Sequence, residues 1–227
     1  MKSLPVSLTN KQRLLGWLWW AFQCLFLSEV LNFVNPQLPV PFSEARLNFV
    51  YFAINFAAIT LFLGSYVKAS LGHGIKNLFR TLRWAGIGLI VYYGCAFLLG
   101  LLVTNFFPDY TNLNDNALSL LMQDEPVLLR IGVLFLVPVA EELMYRSVIF
   151  GSLHRRSRIL AYVISASLFS VVHFIGYQPD LLTFAISFVL YLPAGLCLAL
   201  AYERSGSILA PILMHMAVNQ LGTQLMR

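Results

Sequence analysis

Charge is what this chain has least of. Asp, Glu, Lys and Arg make up 11% of its 227 residues, against 59% apolar residues, where an ordinary soluble domain carries about 25% charged residues. Its 15 Lys and Arg and 10 Asp and Glu cannot supply the hydrated skin that a fold of this size needs, so a water-soluble globular protein is excluded. The apolar excess equally excludes a disordered chain. The net charge of +5 does not point to nucleic acid, because the bases are scattered between apolar runs rather than gathered in a stripe.

Cysteine is also scarce. Cys24, Cys95 and Cys197 are odd in number, show no CxxC or Cys/His spacing and each sit in an apolar run, which excludes a disulfide framework and a zinc knuckle; they read as buried fillers. The amino terminus places Lys2, Lys11 and Arg13 before an apolar run, as a signal peptide does. That run is about 20 residues long and has no small-x-small cleavage site, so it reads as a retained first span. Internal repeats, low-complexity tracts and linkers are absent.

Long apolar runs are abundant. About 20 helical residues cross ~30 Å of hydrocarbon, and seven runs come close to that length: Leu14–Val34, Leu47–Val67, Trp84–Phe106, Val127–Gly151, Ile159–Tyr177, Leu181–Ala201 and Ile208–Met226. The expected fold is all-α, a polytopic transmembrane helical bundle of about seven spans, with room for an eighth, re-entrant segment and a tilt or kink around Pro138 in the fourth run. Short cytoplasmic loops collect Lys and Arg. With the amino terminus inside, Lys2, Lys11, Arg13, Lys68, Lys76, Arg80, Arg83, Arg155, Arg156, Arg158 and Arg204 all fall on the inner side, whereas Arg46 and Arg227 join Glu44, Asp109, Asp115, Asp124, Glu125 and Asp180 outside. The expected location is therefore the plasma membrane, multi-pass, with a cytoplasmic amino terminus; the compact size and lack of organelle signals lean to a prokaryotic host. Ile75, Leu78, Phe79 and Leu82 share one helical face and Lys76, Arg80 and Arg83 another, predicting an amphipathic cytoplasmic loop that lies on the membrane. The outer segment 108–126 reads as an exposed turn region around a short helix.

Ionisable groups inside the runs are unevenly distributed. The first three runs hold only Glu29, which is left to snorkel or to pair with Arg46 or Arg130; the last four hold Glu141, Glu142, Arg146, His173, His215 and, near an end, Arg130. A charge near a helix centre costs roughly 2.5–3.5 kcal/mol on insertion scales, so such a cluster needs a cavity, a partner or a purpose. Glu142 and Arg146 stand four apart and can pair, while Glu141 is turned by about 100° to another face and remains unassigned. Ser165, Phe169 and His173 repeat every four residues on the fifth run, as do His215, Asn219 and Thr223 on the seventh, and the sixth adds Thr183, Ser187 and Tyr191. Pro193 and Gly195 suggest a bend or a close helix contact there. Each feature alone is compatible with structural glue; gathered in neighbouring helices, acid, base and amide point to chemistry. A buried carboxylate can take a proton from water, an imidazole can share it, and a His with an amide can donate to an oxyanion, which are the parts needed to hydrolyse an amide. No GxSxG supplies a serine nucleophile. Two His and a Glu are also zinc ligand types, but His-Glu-x-x-His is absent, so the expectation is no cofactor, with zinc as the lesser alternative.

Glu141-Glu142-Leu-Met-Tyr-Arg146, Phe169-Ser-Val-Val-His173 and His215-Met-Ala-Val-Asn219 together resemble the EExxxR, FxxxH and HxxxN signature of the CPBP family, the CAAX-processing and bacteriocin-processing (Abi) intramembrane proteins. The resemblance covers roughly residues 125–223. It implies a glutamate-dependent intramembrane endopeptidase similar to CAAX prenyl endopeptidase type 2, in which Glu141 activates water with His173, His215 and Asn219 form the oxyanion site, and Glu142 and Arg146 support Glu141. It also implies an organisation of residues 1–124 as three amino-terminal spans and 125–227 as the catalytic core. The expected partners are the lipid bilayer and a membrane-associated peptide or protein substrate, such as a bacteriocin or leader-peptide precursor, with no nucleic acid. The competing reading is a non-proteolytic membrane partner, either a bacteriocin-immunity factor or a regulator of a membrane sensor kinase. A transporter or proton channel would need a polar chain to both faces, and none runs through Val127–Pro138.

Overall fold

A computed structural model describes residues 4–225; Lys2, Met226 and Arg227, which enter the charge and span readings, lie outside them. A backbone in hydrocarbon must satisfy its own hydrogen bonds, and the described residues form a helical membrane bundle with no strand among them. In order they are α1 (Asn10–Gln37), α2 (Glu44–Phe62), α3 (Gly64–Lys76), α4 (Leu78–Phe106), α5 (Leu113–Asp124), α6 (126–154), α7 (Arg158–Val172), α8 (Leu181–Ser205) and α9 (Leu209–Leu225). Starts are signalled by capping oxygens: Thr9, Ser43, Asn112, Ser157 and Asp180 each accept from a backbone N–H in the first turn. Helix α8 ends at Gly206, whose φ of 76° is the left-handed conformation glycine adopts freely.

Helices α1, α2, α4 and α8 are long and apolar enough to cross a membrane. The three remaining apolar runs are helical too. However, α7 and α9 have 15 and 17 residues, about 23 and 26 Å of rise, and α6 alternates between α and wider π turns. Ile90, Phe97 and Phe106 on α4 are 76%, 66% and 72% exposed, a surface that only lipid covers.

The core lies around α6. Every residue from Glu142 to Phe150 is buried, ringed by α1, α2, α7 and α8, while α9 packs on the preceding Val137–Glu142 turns. The bend expected at Pro138 takes the form of two π stretches, Gly132–Leu136 and Leu143–Phe150, on either side of the segment that carries Pro138 and both glutamates. Such turns accommodate a ring that would clash in a regular α-helix, and they occur often at functional sites. Gly195 provides the close contact expected of it: a Cβ there would lie 2.8 Å from Ala166 Cα on α7.

Three expectations are corrected. The amphipathic segment is not one helix of its own: Ile75 belongs to the end of α3 and Leu78, Phe79 and Leu82 to the start of α4. They are divided at Asn77, where the Thr81 hydroxyl donates to Gly74 O at 3.0 Å. Cys24 is exposed rather than buried; only Cys197 is a buried filler. Glu29 does not pair with Arg46, which is held by Glu125 at 2.6 Å.

Candidate functional site

The two glutamates of α6 occupy different environments. Glu142 is fully buried: its Oε2 accepts from Arg146 Nε at 2.8 Å, one helical turn on, as the i,i+4 spacing predicts, and its Oε1 accepts from His215 Nδ1 at 2.9 Å. Arg146, also fully buried, donates through Nη1 to Ser165 Oγ at 3.0 Å and lays its guanidinium over the Phe169 ring at 4.8 Å. Ser165 passes the contact on, donating to Tyr145 O at 2.8 Å. This network fastens α6 to α7 and α9 and leaves Glu142 with both oxygens engaged.

Glu141 is the free carboxylate. Its side chain is 25% exposed, its Oε2 is buried without a hydrogen-bond partner, and His215 Nε2 lies 3.9 Å from that oxygen. It lines a cavity of about 530 Å³ shared with His173, His215 and Asn219. The six expected site residues thus divide in two. Glu141, His173, His215 and Asn219 face the cavity; Glu142 and Arg146 lie behind it.

The hydrogen bonds fix what each cavity group can do. His173 Nδ1 lies 2.7 Å from Phe169 O; a carbonyl only accepts, so Nδ1 carries a proton and Nε2 is the free nitrogen. In His215, Nδ1–H points at the Glu142 carboxylate, which leaves Nε2 toward Glu141 and the cavity. Asn219 donates one amide hydrogen to Val133 O at 2.9 Å and retains a second. A proton acceptor, a free imidazole nitrogen, a carboxylate-backed imidazole and an amide donor therefore surround one hollow. Among the described residues no three His, Cys, Asp or Glu side chains converge as metal ligands.

The opposite wall comes from the amino-terminal half. Gln23 and Ser28 of α1 and Asn48, Tyr51 and Phe52 of α2 line the cavity, and α1 widens into a π stretch at Gln23–Leu27 beside it. Asn48, Tyr51, Phe52 and Asn55 recur at i, i+3, i+4 and i+7, a polar-aromatic stripe in the second apolar run that sequence reasoning passed over. The short helix expected in the outer segment is α5, but it is packed against the site rather than exposed throughout. Asn114, Asp115, Leu118 and Leu121 close the cavity, and two hydroxyl contacts dock the segment on α8: Tyr110 with Ser187 at 2.9 Å, and Tyr191 donating to Asn112 Oδ1 at 3.1 Å. Burial holds the Asp115 carboxyl above its ordinary value, desolvation outweighing its hydrogen bonds to Asn114 and Tyr191.

A family model for type II CAAX prenyl endopeptidase Rce1-like proteins matches residues 123–221. Among curated proteins, the UPF0177 protein YbdJ of Lactococcus lactis subsp. lactis (strain IL1403) is 34% identical over 88 residues, 39% of this chain and 34% of its own length. The UPF0177 protein YxdF of the same strain is 31% identical over 170 residues, 72% of this chain and 88% of its own length. The chain thus spans about a third of the first relative and most of the second. No solved structure matches it.

Proposed function

The chain belongs to the CPBP family, among its UPF0177 proteins, and from that premise we propose that it is an intramembrane glutamic endopeptidase that hydrolyses a peptide bond in a membrane-associated peptide or protein. The observation that carries the reading is the contrast between Glu141, unpartnered at a cavity, and Glu142, neutralised next to it. Glu141 takes a proton from a water in the cavity, with His173 Nε2 accepting a hydrogen bond from the same water. The resulting hydroxide attacks the peptide carbonyl. His215, backed through Nδ1 by Glu142 and presenting Nε2 to the cavity, and the second amide hydrogen of Asn219 form the site for the oxyanion that results. Glu141 then returns its proton to the leaving amine. Arg146 acts only through Glu142, which it holds in place by their ion pair.

The same reading takes the protein to cross the plasma membrane several times with its amino terminus in the cytoplasm, the bilayer and a peptide precursor being its partners. It takes residues 125–227 as the catalytic core, with residues 1–124 forming the cavity's far wall, and it uses no metal. The test is cleavage of a peptide library by the protein reconstituted in lipid, with and without chelator, against Glu141→Ala. Loss of cleavage in the variant alone is expected. Equal cleavage by both proteins would remove Glu141 as the base, and activity lost to chelator and restored by zinc would replace the mechanism with a metal-assisted one.

A further inference from the structure

The His173 ring is held on three sides. Its Nδ1 is fixed on Phe169 O at 2.7 Å, the Phe169 ring lies against it at 4.7 Å and 53°, and the Tyr191 ring of α8 stacks on it at 4.5 Å and 24°. The first two contacts come from its own helix, one turn back. Tyr191 is the outside support, and its hydroxyl reaches beyond the site to the start of α5. There it donates to Asn112 Oδ1 at 3.1 Å and lies 3.4 Å from Asp115 Oδ1. Asn112 Oδ1 also accepts from the Asp115 backbone N–H at 3.2 Å. The tyrosine therefore bonds to the oxygen that caps α5, the helix covering the cavity.

We infer that Tyr191 is a positioning residue: its ring sets the plane of the His173 imidazole, and its hydroxyl ties that position to α5 being seated over the cavity. The inference rests on the reading of His173 as the imidazole that orients the water. With α5 seated, the phenol is anchored at its far end and the ring can press only one way on His173. With the bond to Asn112 broken, the tyrosine regains rotamer freedom, the cap of α5 is weakened and the imidazole loses a fixed neighbour. Misplacement of a reacting group by about 1 Å costs on the order of 100-fold in rate, so even a small loss of support is legible in kcat.

The experiment has two arms. In the kinetic arm, Tyr191→Leu is expected to lower kcat about 10- to 100-fold with little change in KM, and Tyr191→Phe, which keeps the plane, to restore most of it; wild-type kcat in Tyr191→Leu overturns the positioning role. In the exchange arm, which needs no substrate, backbone hydrogen exchange of residues 113–124 is expected to run about tenfold faster in Tyr191→Phe and in Asn112→Ala, without further increase in the double variant. Wild-type exchange in Tyr191→Phe overturns the tie to α5, because Asn112→Ala also removes the cap of that helix. Should Tyr191→Leu not fold, Tyr191→Met decides the kinetic point, a fall in kcat at constant KM supporting the positioning role and wild-type kcat refuting it. If the wild-type protein cleaves nothing, the peptidase reading fails by itself, and the exchange arm still decides whether Tyr191 anchors α5.

Discussion

His215 Nδ1 stands 2.9 Å from Oε1 of Glu142, so the histidine facing the cavity is oriented by a carboxylate that does not face it. The pairing separates two residues that are neighbours in sequence and identical in type. Glu142→Gln leaves the Arg146 guanidinium buried opposite a neutral amide, and breaking a buried pair from one side costs about 3–5 kcal/mol. The Glu141 carboxylate makes no hydrogen bond to the protein, so Glu141→Gln is expected to change stability by less than ~1 kcal/mol. Unfolding in detergent, followed by temperature or denaturant, should therefore show a large loss for the first variant and little for the second, while both lose cleavage. Equal stability of the two would mean that Glu142 is not the structural member.

Ser165 offers a milder cut into the same network. Its hydroxyl accepts from Arg146 and donates to Tyr145 O, so Ser165→Ala strands one buried donor and one buried acceptor at a cost of about 1–3 kcal/mol. The loss should shrink when Glu142 is already Gln, because the two residues share Arg146 as partner. A double-mutant cycle on unfolding midpoints measures that coupling.

Much of this arrangement was legible in the sequence because its signals are local. The Glu142–Arg146 pair follows from a spacing of four, the separate face of Glu141 from a spacing of one, and the gathering of His173, His215 and Asn219 from the scarcity of polar groups in apolar runs. What escaped depends on contacts distant in sequence or on backbone detail. The tie of Tyr191 to Asn112 links residues 79 apart, and Asn112 reads locally as nothing more than a cap. The π stretches beside Glu141 and at Gln23 leave no compositional mark. The amphipathic loop was misread because helical spacing of Ile75, Leu78, Phe79 and Leu82 runs unbroken across Asn77, where the backbone does not.

Gly195 tests the contact between α7 and α8. An added Cβ would sit 2.8 Å from Ala166 Cα and 3.0 Å from Ala166 O, backbone atoms that cannot swing aside, so Gly195→Ala is expected to destabilise by about 1–3 kcal/mol. Gly94 on α4 has nothing within 4 Å of such an atom, and Gly94→Ala should be neutral or gain up to ~1 kcal/mol of helix propensity. Thermal unfolding of the two variants side by side distinguishes a packing requirement from a general intolerance of alanine.

Asp115 gives the covering helix a pH dependence of a particular sign. Its carboxyl is held above the ordinary 3.8 chiefly by desolvation, so in the window from that value upward the folded protein binds more protons than the unfolded chain. Stability therefore falls as pH rises through this window and stays lowered above it, the reverse of a salt-bridged aspartate. Seating of α5 should tighten as the solution is acidified toward the raised pKa. Asp115→Asn keeps an oxygen facing Tyr191, removes the charge and should hold α5 in its acid-like state at every pH. Hydrogen exchange of residues 113–124, corrected for the intrinsic pH dependence of exchange, is expected to slow on acidification in the wild type. In the variant it should be uniformly slow. A variant that exchanges faster than wild type at neutral pH would show instead that the ionised carboxylate holds the helix down.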